Sequence, residues 1–146
     1  MLGDVAVAIA HIGSTAVPGL AAKPVVDLMV GVADPAATRP AAERLRAAGY
    51  AHRDDPDSDN TDLHVFALRR ADGRRLAHAH VVVHGGTWWR EHVAFRDLLR
   101  DDADLRRRYE EHKRALAGRH QGVREAYTDG KTGFVTASLH ERRAGR

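Results

Sequence analysis

Hydrophobic residues recur at every second position near the start of the chain, which is the period of a β-strand. Over residues 5–11, valine and isoleucine alternate with alanine, and this pattern predicts a first strand. Residues 25–30 form an apolar run that only Asp27 interrupts. A continuous run of this kind indicates a strand that is covered on both faces. We therefore expect β-structure in the first part of the chain.

A β-hairpin is predicted further along. Two apolar runs, residues 63–68 and 76–83, flank an Asp-Gly pair at positions 72 and 73, and such a pair is a strong turn signal. Residues 50–52 are consistent with one more short strand. The intervening residues 53–62 contain five aspartates and no hydrophobic period, which predicts a solvated loop or a rim that attracts cations.

The predicted hairpin has a definite register. If Asp72 and Gly73 form a two-residue turn, Val65 lies opposite His80 and Ala67 opposite His78. Residues two apart on a strand share a face, so His78, His80 and His84 would all point to the same side of the sheet. Histidines in this arrangement either bind a ligand or complete a polar network.

From residue 87 onward the hydrophobic period becomes helical. Helices are predicted from residue 87, with Thr87 as N-cap, over residues 101–117, and from residue 123, and a shorter one earlier over residues 40–48. The same period predicts that Arg100 and Lys113 lie on outer helix faces. Strands followed by helices indicate an α+β or mixed-sheet α/β class. We expect one domain spanning residues 1–146.

Composition narrows the classes of function. The chain of 146 residues has 43% hydrophobic and 29% charged residues, and it has no cysteine. Disulfides and thiolate chemistry are therefore excluded, and a reducing compartment is favoured. We find no transmembrane or signal-peptide pattern, so we expect a cytoplasmic protein that does not bind a membrane.

The basic residues do not indicate nucleic-acid binding. The net charge is +3, and the arginine-rich segments at 106–108 and 142–143 are interleaved with acids. Aromatic residues that would stack on bases are absent from them. These segments predict a solvated helix face, and we expect a small-molecule substrate rather than nucleic acid.

Candidate chemistry is concentrated between the first two predicted strands. Gly13 and Ser14 permit a tight turn that presents N–H groups and a hydroxyl to a phosphate oxygen. Lys23 and Asp27 add opposite charges beside it. Burying a carboxylate such as Asp27 costs several kcal/mol unless it is paired, hydrogen-bonded or bound to a cation. The alternative is a tight loop whose buried acid accepts backbone N–H bonds.

Residues 11–30, HIGSTAVPGLAAKPVVDLMV, resemble the signature of the GrpB family, a branch of the nucleotidyltransferase fold sometimes fused to dephospho-CoA kinase. Later motifs follow in the same order: the H-x-H of His78 and His80, FRDLLR at 95–100 and YTDGKTGFV at 127–135. The resemblance covers nearly the whole chain. It implies a nucleotidyltransferase-like fold, with a small mixed sheet followed by C-terminal helices.

The resemblance also implies a helix before the first strand, and this chain starts too late to contain one. We therefore expect either a truncated start or a second copy of the chain, in a homodimer, covering the exposed side of the sheet.

The resemblance implies a nucleotide triphosphate donor and divalent metal. In nucleotidyltransferases a glycine-serine turn holds the triphosphate, and three acids on neighbouring strands bind two cations. Here Gly13-Ser14 match the turn and Asp27 matches the first acid, but Met29 and His80 occupy the other two positions. This pattern predicts one metal ion, Mg²⁺ or Mn²⁺, rather than two.

Three functions follow as hypotheses. The first is a nucleotidyltransferase-like enzyme that transfers a nucleotidyl or phosphate-linked group to a small acceptor, with Asp27 and His80 as catalytic residues and His80 as metal ligand or general base. The second is a catalytically degenerate module that binds a nucleotide or CoA-like ligand. The third is a metal hydrolase, with zinc held by Asp27, His78 and His80. The residues predicted to bind the phosphate-bearing ligand are Gly13, Ser14, Thr15, Lys23, Arg96, Lys113 and Lys131.

Overall fold

The computed structural model describes residues 1–53, 64–119 and 124–145, and the side chains of these residues except 119 and 124–132. The chain forms a five-stranded sheet with helices. The strands are β1 (Ala8–Ile12), β2 (Val26–Val32), β3 (Ala51–Arg53), β4 (His64–Arg69) and β5 (Arg75–Val83). The helices are α1 (Thr38–Ala47), α2 (Thr87–Asp101), α3 (Ala103–Arg119) and α4 (Arg124–Ala144), and short 3₁₀ turns occupy Gly3–Val5, Ser14–Ala16 and Pro35–Ala37.

The sheet is mixed. Its strand order is β1-β2-β5-β4-β3. Strands β2 and β5 run parallel, and the other neighbours are antiparallel. Because β2 has a neighbour on each side and helices pack on both faces, its near-continuous apolar run is expected. The α+β class with a small mixed sheet and C-terminal helices is confirmed.

The β4–β5 hairpin has the predicted register but not the predicted turn. The Arg70 N–H donates to Arg74 O at 2.8 Å, so three residues, not two, form the loop. Gly73 adopts a φ of +82°, which such three-residue loops require. A register shift between Leu68 and Arg69 then restores the expected pairing. The observed pairs are Val65 with His80 and Ala67 with His78.

Helices cover both faces of the sheet. Helix α1 packs Leu45 against Phe66 and Val30 on one face. On the other face, the two tryptophans of α2 pack against a cluster that includes Met29. A third cluster joins α2, α3 and α4 and contains Val17 from the loop before β2. The apolar side chains of α3 are buried, namely Leu105, Tyr109 and Leu116.

Some predicted boundaries were wrong. Gly3–Val5 form a 3₁₀ turn, so β1 begins at Ala8 instead of Val5. Gly86, whose backbone is extended, is the N-cap of α2, and Thr87 is already helical. The predicted acidic loop and the break before α4 fall mainly on residues outside the described ranges.

Exposed apolar side chains lie on the edge strand β1 and just before it. Val7 is 52% exposed and Ile9 is 58% exposed. A homodimer that would cover them stays a prediction. In the described part of the chain, no helix has both the length and the apolar character needed to cross a membrane.

Candidate functional site

Strand pairing brings three polar side chains together. Because β2 and β5 are parallel neighbours, Asp27 lies directly beside His78. His80 is two residues further along β5 and therefore shares that face. His78 Nδ1 lies 3.0 Å from Asp27 Oδ1, and His80 Nε2 lies 3.3 Å from the same oxygen. The structure thus assembles the three residues that the sequence suggested as metal ligands.

The carboxylate of Asp27 is ionised. Its side chain is 30% exposed, and burial by itself raises its pKa. The hydrogen bonds from His78 and His80, together with the charge interactions of those rings, outweigh burial and hold the pKa of Asp27 well below its ordinary value. Since the carboxylate accepts, each histidine donates an N–H to it.

The donor set fits one transition-metal ion. One oxygen and two ring nitrogens, one from each residue, lie within 4.8 Å of one another. Ligands about 2.0–2.1 Å from a tetrahedral zinc ion are roughly 3.3 Å apart, which is close to the observed separations. His78 Nε2 and His80 Nδ1 are buried without a hydrogen-bond partner among the described residues. Two imidazoles suit zinc, iron or manganese better than magnesium.

The position of the second acid in nucleotidyltransferases is apolar here. Met29 is 0% exposed and packs with Ile12 and Val82 beneath α2. No carboxylate occupies this position, so the residues described in the structure do not form a two-magnesium site.

The Gly13-Ser14 turn adjoins the carboxylate. Gly13 has a φ of +74°, and a Cβ built on it would lie 2.8 Å from Asp27 Oδ2. Within the turn, the Ala16 N–H donates to Gly13 O at 3.1 Å. The predicted phosphate turn and the predicted metal ligand are therefore in direct contact.

Two of the predicted cationic residues reach the turn and the strand before it. Lys113 Nζ donates to Ser14 Oγ at 2.8 Å and to Ala21 O at 3.2 Å. The prediction that Lys113 lies on the outer face of its helix is wrong, because α3 packs against this loop. Arg96 donates to His11 O at 3.2 Å and pairs with Asp97.

The other predicted ligand residues are arranged differently. Thr15 Oγ1 hydrogen-bonds to the ring of His11 at 2.9 Å. Lys23 is exposed on the loop before β2. The side chain of Lys131 lies outside the described residues. His84, although on the predicted face, packs against Trp89 with ring centroids 4.7 Å apart and is outside the Asp27 group.

Sequence reasoning missed the aromatic side chains above His80. The Trp88 ring stacks on His80 with centroids 5.4 Å apart and an interplanar angle of 26°. His92 stacks on Trp88 at 3.4 Å and 16°, and its Nδ1 donates to Trp88 O at 2.8 Å. Burial lowers the pKa of His92 to about 4. The signal in the sequence is the i, i+4 spacing of Trp88 and His92, which places both on one face of α2.

Sequence reasoning also missed two residues that hold the loop. Glu110 accepts from the Ala21 N–H at 3.0 Å. Arg100 is exposed, as predicted for the outer face of α2, and its Nε also donates to Ala16 O at 2.9 Å. The loop backbone is therefore fastened to both α2 and α3.

A cavity of about 610 Å³ lies elsewhere, between α2 and α4. Its lining includes Arg90, Leu98 and Leu139, and it includes none of the predicted site residues. The candidate chemistry is therefore on the sheet face around Asp27.

Comparisons with known proteins agree on one family. The family described as GrpB protein matches residues 1–141. The glutamate-rich protein GrpB of Alkalihalophilus pseudofirmus is 32% identical over 142 residues, which cover 97% of this chain and 82% of that protein. A UPF0157 protein of Streptomyces coelicolor is 41% identical over 131 residues, covering 87% of this chain and 64% of that protein.

A kinase also contains a similar region. A dephospho-CoA kinase of Mycolicibacterium paratuberculosis is 32% identical over 146 residues, and the match covers 86% of this chain but only 36% of the kinase. The predicted relation to a domain fused to such kinases is thereby confirmed.

A solved structure shares the fold. The crystal structure of conserved protein GrpB from Enterococcus faecalis superposes with a TM-score of 0.69 at 24% identity, covering 94% of this chain and 86% of that chain.

Proposed function

The chain belongs to the GrpB family, and on this premise we propose that it is a single-metal enzyme that transfers a nucleotidyl or other phosphate-linked group to a small-molecule acceptor. The observation that carries the proposal is the convergence of Asp27, His78 and His80 next to the Gly13 turn. This arrangement combines a cation site with a phosphate-binding turn on one face of the sheet.

The metal ligands would be Asp27 Oδ1, His78 Nδ1 and His80 Nε2. Their mixture of one carboxylate and two imidazoles favours Mn²⁺, Fe²⁺ or Zn²⁺ over Mg²⁺. When bound, such an ion neutralises phosphate charge and polarises the phosphoryl group. His80 is better explained as a ligand than as a general base, because its Nδ1 is buried and its Nε2 lies beside the ligand atoms of Asp27 and His78. Metal binding would release the proton that Nε2 donates to Asp27 in the metal-free protein.

The phosphate-binding part would be the turn itself. The Ser14 hydroxyl and the ammonium group of Lys113 are already 2.8 Å apart and offer donors to a phosphate oxygen. The positive charge of Lys113 also stabilises negative charge that develops on the phosphoryl group. Transfer forms a bond from the acceptor oxygen to phosphorus, breaks the bond to the leaving phosphate, and releases the acceptor's proton.

A second candidate is hydrolysis, with water as the acceptor. The observation in its favour is that the hairpin register brings both His78 and His80 to Asp27, as that hypothesis requires. The two candidates share the same site and differ in the acceptor alone. A ligand-binding module without catalysis is a third candidate. The observation in its favour is that the apolar Met29 occupies the position of the second metal-binding acid of nucleotidyltransferases.

Calorimetric titration tests the proposal. ATP, GTP, CTP and UTP are titrated with and without Mn²⁺, Zn²⁺ or Mg²⁺ into wild type, Asp27→Asn and the control Glu43→Gln, which removes an exposed carboxylate on α1. We expect binding that depends on Mn²⁺ or Zn²⁺, is weakened at least tenfold in Asp27→Asn, and is unchanged in Glu43→Gln. Nucleotide binding that is the same with and without metal, and the same in wild type and Asp27→Asn, would contradict a single-metal enzyme. It would support the ligand-binding module instead.

Phosphorus NMR separates the two enzymatic candidates. A transferase consumes the nucleotide only when an acceptor is supplied. A hydrolase consumes it in buffer alone. Loss of either activity in Asp27→Asn, with folding intact by circular dichroism, ties the reaction to this site.

A further inference from the structure

We propose that Trp88 is a positioning residue of the metal site, and that its indole ring holds the His80 ring in the orientation that aims Nε2 at the ion. The inference rests on the proposed function for the presence of the metal. The sequence motifs that suggested the metal site do not include Trp88. This residue lies on α2, whereas the three ligands lie on the sheet.

His80 needs a second restraint. Its Nε2 is 3.3 Å from Asp27 Oδ1, whereas His78 Nδ1 is 3.0 Å from the same oxygen. The buried Nδ1 of His80 has no hydrogen-bond partner among the described residues. Metal-binding histidines are commonly oriented by a hydrogen bond from the second ring nitrogen. In His80, stacking against an aromatic ring orients the imidazole instead.

The flat contact is supplied by Trp88. Its ring lies nearly parallel to His80, with an interplanar angle of 26° and centroids 5.4 Å apart. Rotation of the His80 ring about its Cβ–Cγ bond would break this stacking. The stacking therefore opposes rotations that tilt the ring out of this plane and turn Nε2 away from Asp27.

Trp88 is itself restrained on its other face. His92 stacks on it with centroids 3.4 Å apart and an interplanar angle of 16°. The hydrogen bond from His92 Nδ1 to Trp88 O fixes the His92 ring one turn along the same helix. His80, Trp88 and His92 thus form a continuous stack from the sheet to α2. The position of α2 therefore determines the orientation of the His80 ring through these two stacking contacts.

Cobalt binding tests the proposal on the full chain. Co²⁺ is titrated into wild type, Trp88→Ala, Trp88→Leu and Trp88→Phe, and its visible absorption reports both affinity and coordination geometry. We expect the Kd for Co²⁺ to rise about 10–100-fold in Trp88→Ala and Trp88→Leu, as is typical for residues that orient a metal ligand. Trp88→Phe keeps a flat ring and is expected to stay within about threefold of wild type.

Two controls accompany the titration. Trp89→Phe changes the neighbouring tryptophan, whose described ring contact is with His84, and is expected to keep wild-type affinity. Trp88→Leu retains apolar volume, so it serves if Trp88→Ala does not fold. Urea unfolding of every variant separates a loss of affinity from a loss of stability.

A second measurement needs no metal. Long-range ¹H–¹⁵N spectra of the histidine rings report which nitrogen of His80 carries hydrogen. We expect Nε2–H in the metal-free wild type and a mixture of tautomers in Trp88→Leu. An unchanged His80 spectrum together with an unchanged Co²⁺ affinity in Trp88→Leu would overturn the inference.

Different results would contradict the proposed single-metal function and the positioning role of Trp88. If wild type binds no Co²⁺, the proposed single-metal function is contradicted and the inference falls with it. If wild type binds Co²⁺, Asp27→Asn does not, and Trp88→Leu matches wild type, only the positioning role of Trp88 is overturned.

Discussion

Gly13 lies so close to Asp27 that no side chain fits between them, because a Cβ on Gly13 would be 2.8 Å from Asp27 Oδ2 and 3.2 Å from its Cβ. The glycine is also required by its φ of +74°, a conformation that side chains disfavour. The Gly13-Ser14 turn and the acid of β2 therefore fit against each other. The backbone conformation and the site geometry depend on the same residue.

The substitution Gly13→Ala is expected to cost more than its backbone strain. Gly73 has a φ of +82° with nothing within 4 Å of an added Cβ, so Gly73→Ala measures the strain of a positive φ without a steric contact, about 1–2 kcal/mol. Gly13 combines its positive φ with a ψ of −176°, a region that essentially only glycine adopts, so part of the extra cost of Gly13→Ala is backbone strain. We expect Gly13→Ala to lose roughly 1–3 kcal/mol more, since the Asp27 carboxylate must move. Urea unfolding and Co²⁺ titration measure both effects. Equal losses in the two variants, with unchanged Co²⁺ affinity, would contradict a steric role for the contact.

Stability is expected to fall as the pH decreases because of His92. Burial lowers the pKa of this residue from 6.5 to about 4, so the unfolded state binds a proton before the folded state does. The contribution is therefore fully present above pH 6.5 and is lost as the pH falls toward 4. The loss is on the order of 3 kcal/mol.

The variant His92→Phe keeps an aromatic ring against Trp88 and removes the titration. Urea unfolding at several pH values, at constant ionic strength, should show a flatter dependence for this variant than for wild type. His140→Gln, which removes an exposed histidine on α4, serves as the control. Parallel pH dependences for wild type and His92→Phe would rule out His92 as the source.

Removing Glu110 is expected to loosen the loop that carries the phosphate turn. The carboxylate accepts from the Ala21 N–H at 3.0 Å, and one such hydrogen bond contributes about 1 kcal/mol. We expect Glu110→Ala to lose this amount and to lose hydrogen-exchange protection at Ala21. Glu110→Gln keeps an acceptor oxygen and should retain most of the protection. If the Ala21 amide exchanges at the same rate in Glu110→Ala and in wild type, the hydrogen bond from Ala21 to Glu110 does not stabilise the loop.

Restoring an acid at position 29 is not expected to restore a two-metal site. Met29 is 0% exposed and packs beneath α2, so an ionised carboxylate in its place would be buried, and its strand neighbour His80 already donates to Asp27. We expect Met29→Asp to lose more than about 3 kcal/mol, and Met29→Leu to lose under about 1.5 kcal/mol. Thermal unfolding with and without Mg²⁺ measures this. A Met29→Asp protein with wild-type stability and Mg²⁺-dependent stabilisation would contradict it.

The local patterns of the sequence were sufficient for much of the fold. The period of two identifies β1, the continuous apolar run identifies β2, and the Asp-Gly pair between two apolar runs identifies the hairpin. The strand period by itself places His78 and His80 on one face. The hairpin register was predicted correctly although the loop has three residues, because the register shift at Leu68 compensates for the extra residue. Asp27 is conspicuous in the sequence because a charge inside an apolar strand needs a partner.

Helix surfaces were predicted less well. Periodicity distinguishes an apolar face from a polar one, but it does not show that a polar side chain reaches across to another element. Lys113 and Arg100 were assigned to outer faces for that reason, and both donate hydrogen bonds to the loop after β1. The stacking of Trp88 on His80 was not predicted, because periodicity does not show where a helix packs on the sheet.

The sequence by itself determined the family, the strand and helix content, the glycine turn and the acid that needed a partner. Only the tertiary structure decided that β2 lies beside β5 in parallel, and this pairing places Asp27 next to His78. The tertiary structure also places α3 against the loop after β1 and the Trp88 ring over His80. The physical reason is that side-chain periodicity is local, whereas strand order and helix docking depend on how distant segments bury their apolar faces together.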